Sequence, residues 1–348
     1  MTGFFKTLAA AASFAALVAT PTLSSAQELP GNVRLVIGST STGGDTYQNS
    51  AIVAEALAEH LDINIKVDAV GVSEAFKALN RDSRGSTIMI FHDQSYLGHL
   101  YGVRGYDDIF ETYKVGPTVA INPGNAYLVA KNGPFQSMED IIAAASAGQR
   151  IRVAIQPGGV SEIGFSALKN AVRIAHPGAE ENIVAVNTGS QADKNQVLFD
   201  GQAEVINGSV QANEQFTRLP QDDQKAMRFV WLTAAKETIA QANPEGLGDT
   251  PRDEMLAYVT PNVSVTMDGA EDFVFDKEFF FLYNKDMDPA IVEQIDTALA
   301  EIFAAGKIQE TQKASFFIPD FKPSAEAATY LKAKRDDYRQ IIDAISAQ

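Results

Sequence analysis

Val33-Arg34-Leu35-Val36-Ile37 runs into Gly38-Ser39-Thr40-Ser41-Thr42-Gly43-Gly44-Asp45, and a helical pattern over 45–61 follows at once. The apolar run reads as a buried strand. Ile52, Val53, Ala56, Leu57 and Leu61 then fall on one helical face and Glu55 and Glu59 on the other, with Asp45 as the expected N-cap. A helix start leaves backbone N–H groups unpaired, and the helix dipole adds partial positive charge there. Glycines let that backbone approach a small anion closely, while Ser41 and Thr42 add hydroxyl donors. A nucleotide loop is excluded, because no Gly-Lys-Ser/Thr follows the glycines and the dinucleotide spacing fails.

The same unit recurs along the chain. Residues 63–67 alternate as a strand, and Thr87-Ile88-Met89-Ile90-Phe91 is a continuous apolar run of the kind buried on both faces of a parallel sheet. The polar loop His92-Asp93-Gln94-Ser95 follows it. A second series begins with a strand at 126–130, and Ser137 caps a helix through 147. The strand at 151–155 leads into Gln156-Pro157-Gly158-Gly159-Val160-Ser161 and a helix over 162–175. Residues 184–186 lead into Asn187-Thr188-Gly189-Ser190 and a helix to 199. Further strands are expected at 203–206, 228–232 and 279–283, and helices from Pro289 and over 324–346. Residues 236–274, rich in Pro, Gly, Asn and acidic types, read as irregular connections. Trp231 and Phe279-Phe280-Phe281 read as core. Alternating strands and helices imply α/β sheets of mainly parallel strands, and ligands in such sheets sit beyond the carboxyl ends of strands. Two sheets offering such loops to one crevice form a two-domain clamp.

The front of the chain sets the compartment. Lys6 is the sole charge in the first 26 residues, an apolar run over 8–18 follows, and Ser24-Ser25-Ala26 supplies small residues before a cut at Gln27. These are the parts of a cleaved secretory signal. The chain has no cysteine, which excludes disulfides, thiolate metal sites and a lipid-bearing cysteine anchor. Its 44 acidic residues against 28 basic ones give a formal net charge of −16, which repels nucleic acid and anionic membrane surfaces. An anion site here must work through local donors.

Chemistry beyond binding finds little support. His92-Asp93 invites an enzymatic reading, but adjacent residues at a strand end point apart, and no Gly-x-Ser-x-Gly elbow exists. His60, His92, His99 and His176 lack metal-ligand spacing. No catalytic residue, metal or cofactor is expected. Tyr47 either walls the crevice or packs on the sheet.

These residues resemble the extracytoplasmic solute receptors of the tripartite tricarboxylate transporter family, the Bug-type receptors, over essentially the whole mature chain. The opening strand with Thr42-Gly43-Gly44 is similar to the family's first Gly-Gly loop. Asn125-Ala126-Tyr127-Leu128-Val129-Ala130, the start Pro134-Phe135-Gln136-Ser137, and Gly189-Ser190 with Gly201-Gln202-Ala203-Glu204 look like later family stretches. So do the two closing helices. The chain departs from the family's pattern at Gly38-Ser39, at Asp45 directly after Gly44, at Glu162 and at Asn187-Thr188, which implies a divergent branch with a different or bulkier solute.

The resemblance implies a two-domain periplasmic-binding-protein fold of the type II, Venus-flytrap kind, with two parallel-rich sheets and a crevice between domains. Domain 1 would hold residues 27–125 and 236–348, and domain 2 residues 126–235, with hinges near 126 and 235. The implied function is periplasmic capture of a small organic acid for a membrane permease. Carboxylates would be held by backbone amides, hydroxyls and waters, not by an Arg clamp. The expected ligand residues are Ser41, Thr42, Gly43, Gly44, Tyr47, His92, Asp93 and Gln94 from one side. Gly158, Gly159, Ser161, Gly189, Ser190 and Asn207 are expected from the other, with a carboxylate at the helix start after Gly159. The protein is expected to be a monomer without nucleic-acid partners. A TRAP-type TAXI receptor, an exported hydrolase using His92 and Asp93, and a receptor feeding a sensor kinase stay open as alternatives. The sequence does not name the solute.

Overall fold

The structure, a computed structural model, describes residues 1, 28–259, 261, 263–266, 269–270 and 272–346. The expected signal beyond Met1, with its cut before Gln27, lies outside the described residues.

The amino-terminal part contains β1 (Asn32–Ile37), α1 (Asp45–Leu61), β2 (Asn64–Ala69), α2 (Val72–Arg81), β3 (Thr87–His92), α3 (Gln94–Leu100), α4 (Ile109–Thr112) and β4 (Tyr113–Asn122). The middle follows with β5 (Ala126–Ala130), α5 (Met138–Ser146), β6 (Ile151–Ile155), α6 (Val160–Ala175), β7 (Ile183–Asn187), α7 (Gln191–Phe199), β8 (Val205–Gly208), α8 (Val210–Thr217) and β9 (Met227–Leu232). The chain closes with α9 (Lys236–Ala240), α10 (Arg252–Tyr258), β10 (Lys277–Asn284), α11 (Pro289–Ala305), α12 (Lys307–Ala314), β11 (Ile318–Lys322) and α13 (Ser324–Ser346). One sheet runs β11-β4-β10-β3-β1-β2 and the other β7-β6-β8-β5-β9.

Each sheet is parallel where the loops matter and antiparallel where the chain crosses. β1 pairs parallel with β2 and β3, and β6 pairs parallel with β7 and β8. β10 runs antiparallel to β3 and β4, and β5 antiparallel to β8 and β9. The reason is geometric. β5 and β10 begin where the chain arrives from the other domain, so they run away from the crevice, while β1, β3 and β6 run toward it.

Nine elements escape the sequence reading: α2, α3, α4, α8, α9, α10, α12, β4 and β11. β4 is a central strand that carries Gly116 and Pro117, residues that argue against a strand. Its register against β10 shifts around Phe280, which accommodates the missing proline donor. Residues 236–259 were expected to be irregular and in the first domain. They contain α9 and α10, whose Ile239 and Met255 pack with Met227, Phe229 and Leu232 of the second sheet.

Three chain segments cross side by side. The Thr233 N–H donates to the Asn125 carbonyl at 3.0 Å, and the Phe275 N–H donates to the Thr233 carbonyl at 2.7 Å. The Thr233 hydroxyl accepts from Asn125 N–H and donates to the Phe275 carbonyl. Gly124 enters this knot with φ +66, and a Cβ there would meet the Ala234 nitrogen at 2.4 Å. Only glycine fits both the backbone angle and the space. Helix α13 packs on β4, α3 and α6, so it touches both domains.

Candidate functional site

A crevice of about 470 Å³ lies between the two sheets at the ends of the parallel strands. One wall is the start of α1, with Ser41, Gly44, Asp45 and Thr46, together with His92, Gln94 and Lys277. The other wall is the start of α7, with Gly189, Ser190, Gln191 and Ala192, joined by Ser209 and Ala212 of α8 and by Gln156 and Val160 beside α6. Asn125, in the crossing knot, forms part of the lining and donates its side-chain N–H to the Val160 carbonyl at 2.9 Å. Several helix N-termini therefore face one space, each adding partial positive charge.

The chain answers much of that charge itself. Gly44 is the N-cap of α1, so Asp45 sits one position further in than expected. The Asp45 Oδ1 accepts the Thr46 N–H, while Oδ2 accepts from Lys277 Nζ and Asn122 Nδ2. Burial opposes the Asp45 charge, but Lys277 and these hydrogen bonds overcome it and hold the carboxyl at about 2. At α6, Glu162 reaches back to accept the Gly158 N–H, and the Gly159 N–H donates to the Gln156 carbonyl at 3.1 Å.

Of the expected ligand residues, Ser41, Gly44, His92, Gln94, Gly189 and Ser190 line the crevice. Thr42 and Gly43 are exposed outside it. Tyr47 packs against the core cluster beneath α1. Gly158, Gly159 and Ser161 are buried beside the lining, and Ser161 Oγ accepts the Gln156 N–H at 2.8 Å. The amides expected to take a carboxylate at Gly158 and Gly159 are thus already engaged. Asn207 is fully buried, with its amide donating to the Ser161 carbonyl.

Asp93 faces away from the crevice, fully buried, and accepts from Tyr96, Lys334 and the Glu278 N–H. His92 instead accepts the Gln94 N–H on Nδ1, which leaves its proton on Nε2. Burial, and then the nearby Lys277, push the His92 pKa well down, so the ring is neutral. His92 and Asp93 therefore do not form an acid–base pair. Among the described residues no group of His, Cys, Asp and Glu has a metal-binding arrangement.

Sequence reasoning missed two lysines. Lys277 begins β10, where it reads as a polar strand edge. Lys194 lies in α7, where it reads as a solvated helix position, yet it is only 5% exposed. Burial, then the positive Lys277, pull Lys194 down to about 7, with Asp45 acting in the opposite direction.

Comparison with solved structures fits this architecture. The periplasmic binding protein BugD aligns at TM-score 0.65 and 15% identity, over 90% of this chain and 97% of its own. MatC from Rhodopseudomonas palustris with bound malate aligns at 0.67 and 13% over 90% and 100%. R. palustris Rpa4515 with adipate aligns at 0.69 and 16% over 90% and 97%. The fold is that of the periplasmic solute-binding proteins. The resemblance read from the sequence holds at this level: a two-domain, type II periplasmic-binding-protein fold with its crevice between the sheets. No protein-family model and no curated protein matches the chain. No helix among the described residues is long and apolar enough to cross a membrane.

Proposed function

We propose that this protein is a periplasmic solute receptor that encloses a small organic carboxylate between its domains and delivers it to a tripartite tricarboxylate-type permease. The observation that carries this reading is the crevice itself. It is large enough for a small molecule, lies beyond the ends of parallel strands and is lined by hydroxyls, amides and helix N-termini. The malate and adipate held by structures of the same fold support the carboxylate class. The export signal read at residues 1–26 supports the compartment.

Closure is a hinge motion about the crossing knot of Asn125, Thr233 and Phe275, with residues up to about 125 and from 275 onward moving against the segment between them. The receptor works as a monomer, with no chemical step. The experiment is thermal unfolding of ligand-stripped protein against a panel of aliphatic and aromatic carboxylates, with sugars and amino acids as controls. A true ligand at a hundred times its Kd adds about 2.7 kcal/mol of stability. Stabilisation by a carboxylate without its turnover supports a receptor. Consumption of the carboxylate, or stabilisation by sugars alone, defeats the reading.

A further inference from the structure

We infer, building on the receptor reading above, that the crevice selects solutes bearing one negative charge, pairs that carboxylate with Lys194, and discriminates against di- and tricarboxylates.

The first observation is a buried lysine behind the α7 wall. Lys194 is 5% exposed, lies just behind the lining residues Gln191 and Ala192, and its side chain has no hydrogen bond or ion pair among the described residues. A buried cation in that state is costly unless something answers it. Its position says where the answer comes from. Gln191, three residues earlier on α7, lines the crevice, and residues three apart share a helix face. Asn195, on the same face, is held by the Gln191 amide at 2.8 Å. The charges that act on Lys194 are Lys277 and Asp45, both on the opposite wall.

The second observation is that the other donors near this turn are partly spent. The Gly189 N–H donates to Asp193 Oδ2 at 3.2 Å, and Ser190 Oγ accepts the Asp193 N–H. The helix dipole still favours an anion there, and Lys194 adds a full positive charge once it is protonated.

The third observation limits the ligand to one such group. On the opposite wall Lys277 is engaged by Asp45, which is also bonded to Asn122 and Thr46. A second carboxylate reaching that wall would meet an ionised Asp45 with its counter-charge already in use. His92 is neutral and offers only a ring N–H. The remaining polar lining, such as Ser39, Thr40, Gln94, Gln156 and Ser209, is uncharged. The far end of the solute is therefore a hydroxyl, carbonyl or amide, or an apolar group against Val160 and Ala212. Anion arrival also returns Lys194 to its charged form, since a nearby opposite charge raises a lysine pKa.

The test is calorimetric titration of ligand-stripped full-chain protein at pH 7.4. The probes are monocarboxylates of two to eight carbons, with and without a hydroxyl, plus benzoate, together with the dicarboxylate of each chain length, citrate, and the amide of each acid. The expected result is a monocarboxylate that binds roughly tenfold or more tighter than its dicarboxylate and its amide. Lys194→Met is expected to weaken that binding roughly 30-fold or more, and Lys194→Arg to retain part of it. Unliganded Lys194→Met melts no lower than wild type, which separates lost pairing from lost fold. A dicarboxylate or amide that binds as tightly overturns the inference and leaves a receptor standing, as does an undiminished monocarboxylate affinity in Lys194→Met. Absence of binding by every carboxylate overturns the carboxylate-receptor reading itself.

Discussion

Two clusters of buried charge stand back to back at the mouth of the first sheet, with opposite balances. On the crevice side, Lys277 pairs with a single carboxylate, Asp45, beside a neutral His92, and the buried Lys194 behind the α7 wall feels both charges. On the far side, Lys334 of α13 is the one cation among the described residues that answers Asp93, Asp276 and Glu278. Lys334 bonds Asp93 at 2.8 Å and the Asp276 carbonyl at 2.5 Å, and Tyr330 donates to Glu278 at 2.6 Å. Asp276 Oδ1 and Glu278 Oε2 find no partner among the described residues. The two clusters share backbone. Lys277 and Glu278 are consecutive, as are His92 and Asp93, and strand alternation deals one of each pair to either face. Both excesses are unfavourable, and they are relieved differently. In the far cluster burial drives protons onto two carboxyls, raising Asp276 to about 6 and Glu278 to about 7. In the crevice cluster the missing anion is assigned to the ligand, as inferred above.

The largest expected effect comes from removing the lone cation of the far cluster. Lys334→Met strands Asp93 and Glu278 and is expected to cost about 3–5 kcal/mol in denaturant unfolding. A loss below about 1 kcal/mol would show that the cluster is already largely protonated at neutral pH.

Next is the pair across the mouth of α1. Lys277→Met leaves Asp45 buried without its partner and is expected to destabilise by about 3 kcal/mol, while adding Asp45→Asn restores most of the loss. Additive losses in this double-mutant cycle would deny the coupling.

The pH profile separates the two clusters. Asp276 and Glu278 have raised pKa values, so the folded state holds more protons than the unfolded one between about pH 4 and 7. The stability they contribute is full below that window and is lost as pH rises through it. Lys194 is depressed to about 7 from 10.5, so between those values the unfolded chain holds the extra proton. Stability from this group therefore rises with pH across that range and is lost as pH falls through 7. Unliganded protein should show a shallow stability minimum near neutrality. Asp276→Asn with Glu278→Gln flattens the acid limb only, and Lys194→Met the alkaline limb only. Unfolding curves that keep both limbs in these variants would assign the titrations to other groups.

The smallest effect carries the opposite sign. Lys194→Met replaces a desolvated amine with an apolar chain and is expected to stabilise the unliganded protein by roughly 1 kcal/mol at pH 7. A drop in melting temperature would mean that Lys194 has a structural partner.

The strands that open each unit were legible because their neighbours in sequence settle them. β1, β3 and β6 are apolar runs ending in glycine or polar loops, and Ser137 and Ser190 accept the N3 amides of α5 and α7 as N-caps should. β4 was not legible, since Gly116-Pro117 breaks the local strand signal and only pairing with β10 and β11 on either side overrides it. Gly38 shows the same limit at the site. It reads as a loop glycine, yet a Cβ there would strike the Phe91 ring at 2.3 Å, a contact made only once β1 and β3 lie side by side.

The sequence by itself determined what short-range pattern can encode: α/β units, glycine-rich loops at helix starts, an acidic chain without cysteine, and His92 and Asp93 on opposite faces. Only the tertiary structure decided which donors remain for a ligand. Glu162 occupying the Gly158 amide is a local contact, but the partners of Asp45 and the isolation of Lys194 depend on residues tens of positions away or on the opposite domain. Charge balance in a crevice is a sum over whatever the fold brings within a few ångströms, and that sum is not a property of any single stretch of chain.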